Sequence, residues 1–416
     1  MTPLAQAVSC LDGYDPDALR ADKAREAILS CLSPVSETQT VGILSALGRV
    51  LAQDIVPAIN VPAHDNSAMD GYAVRFSDLS GETSLEDVGA ALAGRPFEKK
   101  TKPGQCVRVM TGAVMPEGTD TVVIQEVVRR DGARVVIPPG QKQAQNVRYA
   151  GEDLKVGVPV LHPGKRLGPS ELGLIASLGI AEVKVKRRLR VALFATGDEL
   201  ASIGTPLKEG EVYDSNRYTL SGMLMRLGVE IVDMGVVRDD PDALERAFVL
   251  ASRQDAIVTT GGVSVGEADF TRQLMARLGE VLFWKIAMRP GRPMAFGRIG
   301  DAFLFGLPGN PVAVMVTFYQ FVRGALLHMA GATEIALPLL KAVAAENLRK
   351  VPGRTEYQRG ILFRKGDEWA VRTTGQQGSG VLRSMSEANC FIVLEHERGK
   401  VAAGEPVQVQ LFEGLA

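Results

Sequence analysis

Acidic residues closely follow apolar runs at three points in the second half of the sequence. Glu199 comes after VALFAT, Asp239 after VEIVDMGVV, and Asp269 after AIVTT and the glycine-rich loop GGVSVGEA. If these runs are neighbouring parallel strands, their carboxyl ends meet at one edge of a sheet, where ligands bind in such folds. Carboxylate oxygens are the ligands that Mg²⁺ prefers. The pattern therefore predicts a magnesium site at that edge.

The loop before Asp269 has the composition of an anion-binding loop. Gly261 and Gly262 directly follow the apolar run, and Asp269 begins a segment whose apolar residues recur at helical spacing. Small residues let backbone amides approach a phosphate closely, and a helix N-terminus adds a favourable dipole. A carboxylate beside a phosphate repels it unless a cation lies between them, which again indicates Mg²⁺.

Basic residues in the segment WKIAMRPGRP could balance the charge of such a ligand. Lys285 and Arg289 are separated by an even number of positions, so on one strand both side chains would point to the same face. With Arg292 they would complete a metal–phosphate site beside the carboxylates. Ordinary ion pairing across the end of a strand is the alternative.

Alternating strand-like and helix-like segments carry these residues from Arg190 onward. This alternation predicts a doubly wound, mostly parallel sheet. In the segment LPGNP, Asn310 and Pro311 could simply begin the last helix as its cap and first turn. The predicted helices are 214–228, 240–252, 269–279 and 311–331, and the predicted strands include 191–196, 229–237, 256–260 and 281–288.

The first half of the chain has a different pattern. Residues 15–32 predict a first helix capped by Asp15, and residues 41–51 predict a short second helix. Short β-type runs and dense polar turns over residues 55–160 predict a small β domain, and a second β domain follows Leu337. Three of the turns, SAMDGYA, MTGAVMPEGTD and NVRYAGED, carry acids or hydroxyls. The ordinary residue preferences of hairpin turns explain any one of these turns. They explain three such turns in one small domain less well.

Composition argues against several classes of function. The 416 residues carry 47 basic and 48 acidic side chains, a net charge of −1, which disfavours nucleic-acid binding by bulk electrostatics. We expect no signal peptide, and we expect helix 311–331, with Gln320, Arg323 and His328, to be buried rather than membrane-spanning. The cysteines and histidines show no zinc spacing, and GGVSVG matches neither a dinucleotide nor a P-loop fingerprint. These residues alone predict an enzyme acting on a phosphate-bearing small molecule with a divalent metal.

Seven motifs, taken in order, closely resemble the MoeA family of molybdopterin molybdenumtransferases, which is related to the C-terminal domain of gephyrin. The resemblance extends from Val41 to the C-terminal loop. The motifs are SAMDGYA, MTGAVMPEGTD, NVRYAGED, TGDEL, GGVSVGEADF, PGRP and LPGNPV.

The resemblance implies a multidomain α/β plus β chain that forms an L-shaped, four-domain subunit. It implies a homodimer whose site is shared between the doubly wound domain of one subunit and the inserted β domain of the other. The implied domains are a discontinuous mainly helical domain (1–57 and 160–187), an inserted β domain (58–159), a doubly wound molybdopterin-binding domain (188–336) and a C-terminal β-barrel-like domain (337–416).

The resemblance also implies an activity. Family members insert molybdate into adenylylated molybdopterin with Mg²⁺ and release AMP and molybdenum cofactor. A cytoplasmic enzyme is expected, with transient contacts to the adenylyltransferase and to molybdenum enzymes, and with no nucleic-acid or membrane partner. Two alternatives stay open, a molybdopterin adenylyltransferase and a gephyrin-like binding scaffold without catalysis.

Site residues are carried over motif by motif. Arg289 and Arg292 stand where many relatives have lysine, so a planar guanidinium group replaces a compact ammonium group. The implied catalytic residues are Asp269, Glu199, Asp70, Thr111 and Asp153, and the implied metal ligands are Asp269, Asp239 and Glu199. The implied substrate-binding residues are Gly261, Gly262, Ser264, Lys285, Arg289, Arg292, Pro308, Asn310, Pro311 and Ser379.

Asp269 gives the sharpest prediction from the sequence. Asn caps a helix about as well as Asp, so a residue that only caps would tolerate Asp269→Asn. We expect Asp269→Asn to lose metal-dependent turnover by orders of magnitude at saturating Mg²⁺, with little change in melting temperature, because the charge that holds the cation is gone. Asp269→Ala should also lose ~0.5–2 kcal/mol of stability with the cap. Normal turnover of Asp269→Asn would reduce this residue to a cap.

Overall fold

The computed structural model describes residue 15, residues 18–261 and residues 269–412. For residues 269–272 it describes the backbone but not the side chains. The first helix is α1 (Ala21–Cys31). The prediction that Asp15 caps this helix is wrong, because Arg20 lies at the N-cap position and makes no side-chain capping bond. The preceding Leu19 bridges to Ile286 in extended conformation. Helix α1 therefore starts only where the chain leaves that bridge.

The chain after α1 is extended apart from one short turn. Strand β1 (Thr38–Gly42) leads into a 3₁₀ turn, Ile43–Ala46, and Leu51 bridges to Val185. The predicted helix over residues 41–51 is therefore wrong. The β-branched residues of TQTV favour a strand, and its partner lies far along the chain, where a local pattern does not reveal it.

A sheet of short strands follows and confirms the predicted small β domain. The strand order is β6-β3-β5-β4-β8-β7, and β2 pairs with β9 beside this sheet. Strand β4 does not stand out in the sequence, because its segment TSLEDVGAA contains Glu86, Asp87 and Gly89. The strands are β2 (Asn66–Ser67), β3 (Gly71–Val74), β4 (Thr83–Ala91), β5 (Gln105–Val109), β6 (Thr121–Ile124), β7 (Arg129–Asp131), β8 (Arg134–Ile137) and β9 (Val147–Arg148).

Helix α2 (Pro169–Ser177) and strand β10 (Glu182–Lys186) lie after this sheet in the chain. Strand β10 pairs antiparallel with β1. Ala46, Leu51 and Ile55 from before the sheet pack with Ile175 and Val183 from after it in one buried cluster. The two chain segments that flank the inserted sheet therefore share a core.

The central part of the chain is a second six-stranded sheet, in the order β14-β11-β15-β19-β18-β16. The pairs from β14 to β19 are parallel, and β18 and β16 add antiparallel strands at one edge. The elements are β11 (Arg190–Thr196), β12 (Leu200–Ala201), β13 (Val212–Tyr213), α3 (Asn216–Leu227), β14 (Glu230–Val237), α4 (Pro241–Ala251), β15 (Ala256–Thr260), α5 (Asp269–Leu278), β16 (Gly279–Lys285), β17 (Met288–Arg289), β18 (Pro293–Ile299), β19 (Ala302–Leu307), α6 (Pro311–Thr317) and α7 (Arg323–Met329).

Helices cover both faces of this sheet, as a doubly wound fold requires. On one face Leu193, Val258 and Phe305 pack with residues of α1, α3, α6 and α7. On the other face Phe194 and Ile257 pack with residues of α4 and α5. The predicted doubly wound, mostly parallel sheet is confirmed. Helix α1, which the resemblance grouped with the helical domain, packs into the core of this sheet.

The helical run from α6 to α7 is a core helix. Pro311–Met329 is long and apolar enough to cross a membrane by length and composition, yet 72% of its most apolar window is buried within the protein. A π-helical turn, Phe318–Val322, interrupts it. In this turn the Gln320 carbonyl accepts a hydrogen bond from Arg25 of α1, so the irregular turn joins the two helices.

The last part of the chain is a closed five-stranded barrel, as predicted in outline. The ladder runs from β21 through β22, β20, β24 and β23 and returns to β21. Closure leaves these strands without a free edge for most of their length. The elements are β20 (Leu339–Ala344), β21 (Thr355–Lys365), β22 (Glu368–Thr373), α8 (Arg383–Glu387), β23 (Cys390–Leu394) and β24 (Pro406–Leu411).

A half-buried ion pair fixes the entry to the central sheet. The guanidinium of Arg187 donates two hydrogen bonds of 2.7 and 2.8 Å to the Asp255 carboxylate, and the Arg190 amide donates a third of 2.7 Å. Burial raises the pKa of the Asp255 carboxyl, but these hydrogen bonds outweigh burial and bring its pKa below the ordinary value.

We expect Asp255→Asn to lower the free energy of unfolding by ~1.5–3 kcal/mol at neutral pH, since it removes charge-assisted hydrogen bonds. A lowered folded-state pKa contributes stability that is present above the ordinary aspartate pKa and is lost as the pH falls through the lowered value. The difference between wild type and variant in urea unfolding should therefore vanish in acid. Asp301→Asn is the control, because Asp301 and its partner Arg298 are exposed and should contribute little. A pH-independent loss would contradict this assignment.

Candidate active site

Three parallel strands end side by side at Gly261. The Gly261 amide donates a 3.3 Å hydrogen bond to the carbonyl of Leu307, the last residue of β19. Its φ is +91°, and a Cβ atom there would lie 2.3 Å from the carbonyl oxygen of Thr196, the last residue of β11. Only glycine fits this conformation and this space. The ends of β11, β15 and β19 therefore meet at one point, which we call the binding edge.

Exposed carboxylates flank the binding edge. Glu199 and Asp239 lie just beyond β11 and β14, which are neighbours in the sheet. The Asp198 carboxylate accepts a 3.3 Å hydrogen bond from the Asp239 amide and so links the two loops. The next residue, Asp240, has a structural role, because its carboxylate accepts the Ala243 amide at 2.9 Å and caps α4.

The predicted magnesium ligands fit a hard cation in their donor type. Glu199 and Asp239 offer carboxylate oxygens from adjacent strand ends. Asp269 begins α5 as predicted, but its side chain lies outside the described residues, as do Gly262 and Ser264 entirely. Within the described parts of the chain, no group of three or more potential metal ligands occurs. The structure therefore describes the side chains of Glu199 and Asp239 but not that of Asp269, and the magnesium site stays a prediction.

The turn between β19 and α6 brings further predicted residues to the binding edge. Asn310 lies at the N-cap position of α6 and Pro311 in its first turn, as the structural alternative predicts, but the exposed Asn310 side chain makes no capping hydrogen bond. The Val312 amide donates a 3.1 Å hydrogen bond to the carbonyl of Ser379. Ser379 lies in the long polar loop of the barrel between β22 and α8 (residues 374–382), which we call the Ser379 loop. Four residues predicted to bind substrate are thus neighbours, namely Pro308, Asn310, Pro311 and Ser379.

The basic residues are arranged differently from the prediction. Strand β16 ends at Lys285, and the chain then turns, because the Ile286 amide bonds to the Arg292 carbonyl at 2.7 Å. Arg289 lies on the separate strand β17, which pairs with β21 of the barrel. The prediction that Lys285 and Arg289 share one face of one strand is therefore wrong. Arg289 and Arg292 are exposed, and Lys285 is half-buried.

A buried arginine that the sequence analysis missed holds the Ser379 loop. Arg359 on β21 is 1% exposed, and its guanidinium donates to the carbonyls of residues 376–378 and to the hydroxyl of Ser384. Burial and the nearby charge of Arg289 lower the pKa of Arg359 to about 10. The available signal was an arginine inside the apolar strand segment YQRGILF.

The arginines of this region line a cavity of about 510 Å³ between β17 and the barrel. Arg289, Arg349 and Arg359 contribute to its wall, together with Gln377 from the Ser379 loop. The wall also contains carboxylates, of which Glu346 accepts hydrogen bonds from the amide and hydroxyl of one residue of β22. Because the chain has a net charge of −1, any attraction for anions must come from a local cluster such as this one.

The inserted sheet brings a second set of predicted residues together. The Asp70 carboxylate accepts hydrogen bonds from the Thr111 amide at 2.7 Å and from the Thr111 hydroxyl at 2.8 Å. These two bonds, the amide first, lower the pKa of the exposed Asp70 carboxyl. Asp70 is therefore charged at neutral pH.

Asp65, two residues before the first polar turn of the inserted sheet, accepts hydrogen bonds from the second and third polar turns. Its carboxylate accepts the Ala150 amide at 2.8 Å, and its carbonyl accepts the Met115 amide at 2.9 Å. Asp153 is exposed in the third turn, where its amide bonds to the Val61 carbonyl at 3.0 Å. We call Asp70, Thr111 and Asp153 the insert cluster.

The insert cluster and the binding edge are separate within one chain. Over the described residues, neither a strand pairing nor a backbone–backbone hydrogen bond joins residues 58–159 to residues 190–312. Two sets of predicted site residues thus lie on different parts of the subunit.

Known proteins resemble this chain over nearly its whole length. It matches the MoeA N-terminal region (domain I and II) over residues 19–179, a probable molybdopterin binding domain over residues 192–328, and the MoeA C-terminal region (domain IV) over residues 341–412. It is 44% identical over 401 residues to the molybdopterin molybdenumtransferase of Haemophilus influenzae, covering 95% of this chain and 99% of that protein. The chain belongs to the MoeA family.

Further members of the MoeA family agree with this assignment. The molybdopterin molybdenumtransferase of a Nostoc species is 35% identical over 390 residues, covering 91% of this chain and 89% of that protein. The crystal structure of the molybdopterin biosynthesis moeA protein of Pyrococcus horikoshii OT3 is 28% identical, covers 95% of this chain and 100% of that one, and superposes with a TM-score of 0.82.

The predicted site residues fall in all three MoeA-family regions. The insert cluster lies in the N-terminal region, the binding edge in the probable molybdopterin binding domain, and Arg359 with Ser379 in the C-terminal region. The predicted site residues are therefore spread over all three regions rather than confined to one.

Thr111→Val tests the electrostatics of the insert cluster. The variant removes the hydroxyl but keeps the amide, so the pKa of the Asp70 carboxyl should rise part of the way towards that of a free aspartate. An NMR titration of the Asp70 carboxyl carbon measures this shift. Thr119→Val is the control, because the Thr119 hydroxyl donates to the Pro116 carbonyl in the same sheet region and does not contact Asp70. An unchanged Asp70 pKa in Thr111→Val would show that the hydroxyl contributes nothing.

Proposed function

We propose that this protein is a molybdopterin molybdenumtransferase that inserts molybdate into adenylylated molybdopterin and releases AMP and molybdenum cofactor, with Mg²⁺ bound at the binding edge. One observation carries this proposal. Gly261, the turn before α6 and the Ser379 loop meet beside the exposed acids Glu199 and Asp239. The MoeA-family relatives support the class of reaction.

The residues of the binding edge suit a phosphate-bearing pterin. Gly261 lets β11, β15 and β19 end together, and the N-terminus of α6 adds a helix dipole that favours an anion. Arg289 and Arg292, both exposed, would attract the tetrahedral molybdate dianion. Their planar forks impose a bidentate geometry that a lysine would not. Mg²⁺ held by Glu199, Asp239 and Asp269 would draw charge from the phosphoanhydride as AMP leaves.

The separation of the insert cluster from the binding edge supports a homodimer with shared sites. In a two-fold dimer, the insert cluster of each subunit can face the binding edge of the other subunit. Asp70 and Thr111 of one subunit could therefore complete the binding edge of its partner. We place this enzyme in the cytoplasm. We also propose transient contacts with the adenylyltransferase that supplies its substrate and with the molybdenum enzymes that receive its product.

An assay with preformed substrate tests the proposed reaction. Purified protein, adenylylated molybdopterin, molybdate and Mg²⁺, without ATP, should release AMP and form active cofactor. Activity should stop with EDTA and return with Mg²⁺. Product formation that requires ATP would instead support the adenylyltransferase alternative. Undiminished cofactor synthesis at limiting molybdate in cells that lack this protein would support the scaffold.

Mixing two inactive variants tests the shared site. We expect Asp70→Asn and Glu199→Gln each to be inactive, because each removes one charge from every site. In a mixed dimer, one site carries both changes and the other carries neither. Re-equilibrated equal mixtures should therefore recover about a quarter of wild-type activity, since half of the dimers are mixed and each has one intact site.

The control for this experiment is a mixture of Glu199→Gln with Asp239→Asn. Both changes lie at the same binding edge, so every site in a mixed dimer carries one of them and no activity should return. Mixed dimers of Asp70→Asn and Glu199→Gln that form in native mass spectra but stay inactive would contradict the shared site. A fully active monomer in sedimentation would contradict the homodimer.

A further inference from the structure

Asn216, the first residue of α3, connects the end of β15 to the turn before α6. Its side-chain Nδ2 donates hydrogen bonds to the Gly309 carbonyl at 2.7 Å and to the Thr260 hydroxyl at 3.2 Å. The Thr260 hydroxyl donates onward to the Pro308 carbonyl at 2.8 Å. One amide and one hydroxyl thus hold two successive carbonyls of this turn against the strand that ends beside Gly261.

The requirements of helix α3 do not explain this arrangement. Ser215 lies at the N-cap position without a side-chain capping bond. The buried Asp214 carboxylate accepts the Arg217 amide at 3.0 Å and the Arg217 Nε at 2.9 Å, so it already satisfies the first turn. Asn216 directs its donor group away from the helix, towards the binding edge.

Within the part of the chain that the structure describes, the carbonyl half of the Asn216 side chain has no hydrogen-bond partner. Its Oδ1 atom is buried and has no hydrogen-bond partner among the described residues. A buried acceptor without a donor is unfavourable, and buried side chains selected for stability alone are normally satisfied. Thr260, by contrast, is 1% exposed and uses its hydroxyl both to donate and to accept. The asparagine is therefore explained by what its Nδ2 atom holds.

We propose that Asn216 and Thr260 are positioning residues that set the distance between Gly261 and the Gly309–Asn310 turn, and so shape the binding edge for the phosphate-bearing part of the substrate. This inference rests on the proposed function. The turn contains the exposed Asn310 and leads into α6. In the first turn of α6, the Val312 amide donates a hydrogen bond to the Ser379 carbonyl. A turn released from β15 would still be present, but it would no longer lie at a fixed distance from Gly261.

Steady-state kinetics with adenylylated molybdopterin test this role. Asn216→Ala and Thr260→Val should each raise KM about tenfold, the effect of losing one to two positioning hydrogen bonds, and change kcat less than about twofold. The double variant should resemble the single variants, because both residues act through the same turn. Thr260→Ser keeps the hydroxyl and should resemble wild type.

Asn216→Asp is a second variant at the same size. It places an oxygen against the Gly309 carbonyl instead of a donor, so KM should rise at least as much as in Asn216→Ala. Asn389→Ala is the structural control, because Asn389 makes two comparable hydrogen bonds to the backbone of Leu362 in the barrel. It should lower the melting temperature without raising KM.

The outcomes separate this inference from the proposed function. An active wild type with unchanged KM in Asn216→Ala, Asn216→Asp and Thr260→Val would overturn the positioning role alone. An equal rise of KM in Asn389→Ala would overturn it too, because global loosening would then explain the effect. A wild type that neither binds nor converts adenylylated molybdopterin would overturn the proposed function itself.

Discussion

The close approach of Gly261 to the Thr196 carbonyl sets the geometry of the binding edge. A side chain at residue 261 would put a carbon 2.3 Å from that oxygen, so β11 and β15 can end at the same level only with glycine there. The Gly261–Leu307 hydrogen bond then aligns β19 with them. The loops that carry acids on one side and the turn before α6 on the other begin from these aligned ends.

The barrel contributes to the same site through a buried cation. Arg359 gathers three successive carbonyls of the Ser379 loop, and this loop in turn meets the first turn of α6. Within the described part of the chain its guanidinium hydrogen-bonds to neutral oxygens rather than to a carboxylate. Arg359 and Arg289 therefore place two positive charges in the wall of one cavity, which also contains the carboxylates of Glu346 and Glu356.

The sequence predicted those features that buried parallel strands make visible. Such strands appear as continuous apolar runs, so the strand ends, Gly261 and the acids beyond them were located without a structure. Features that depend on a distant partner were missed or misplaced. The strand at residues 38–42 needs residues 182–186, and the split between Lys285 and Arg289 needs the Ile286–Arg292 hydrogen bond. Asp70 and Thr111 were assigned through family resemblance, because no residue pattern shows that two turns about 40 positions apart touch.

Hydrogen–deuterium exchange with bound substrate measures most directly whether one ligand joins both halves of the site. Saturating adenylylated molybdopterin with Mg²⁺ should slow exchange in peptides covering residues 110–115 and residues 308–314 with the same concentration dependence. The Thr111 amide already bonds to Asp70 and the Val312 amide to Ser379, so each peptide reports on its own half of the site. Protection confined to residues 308–314 would contradict a substrate held between the insert cluster of one subunit and the binding edge of the other.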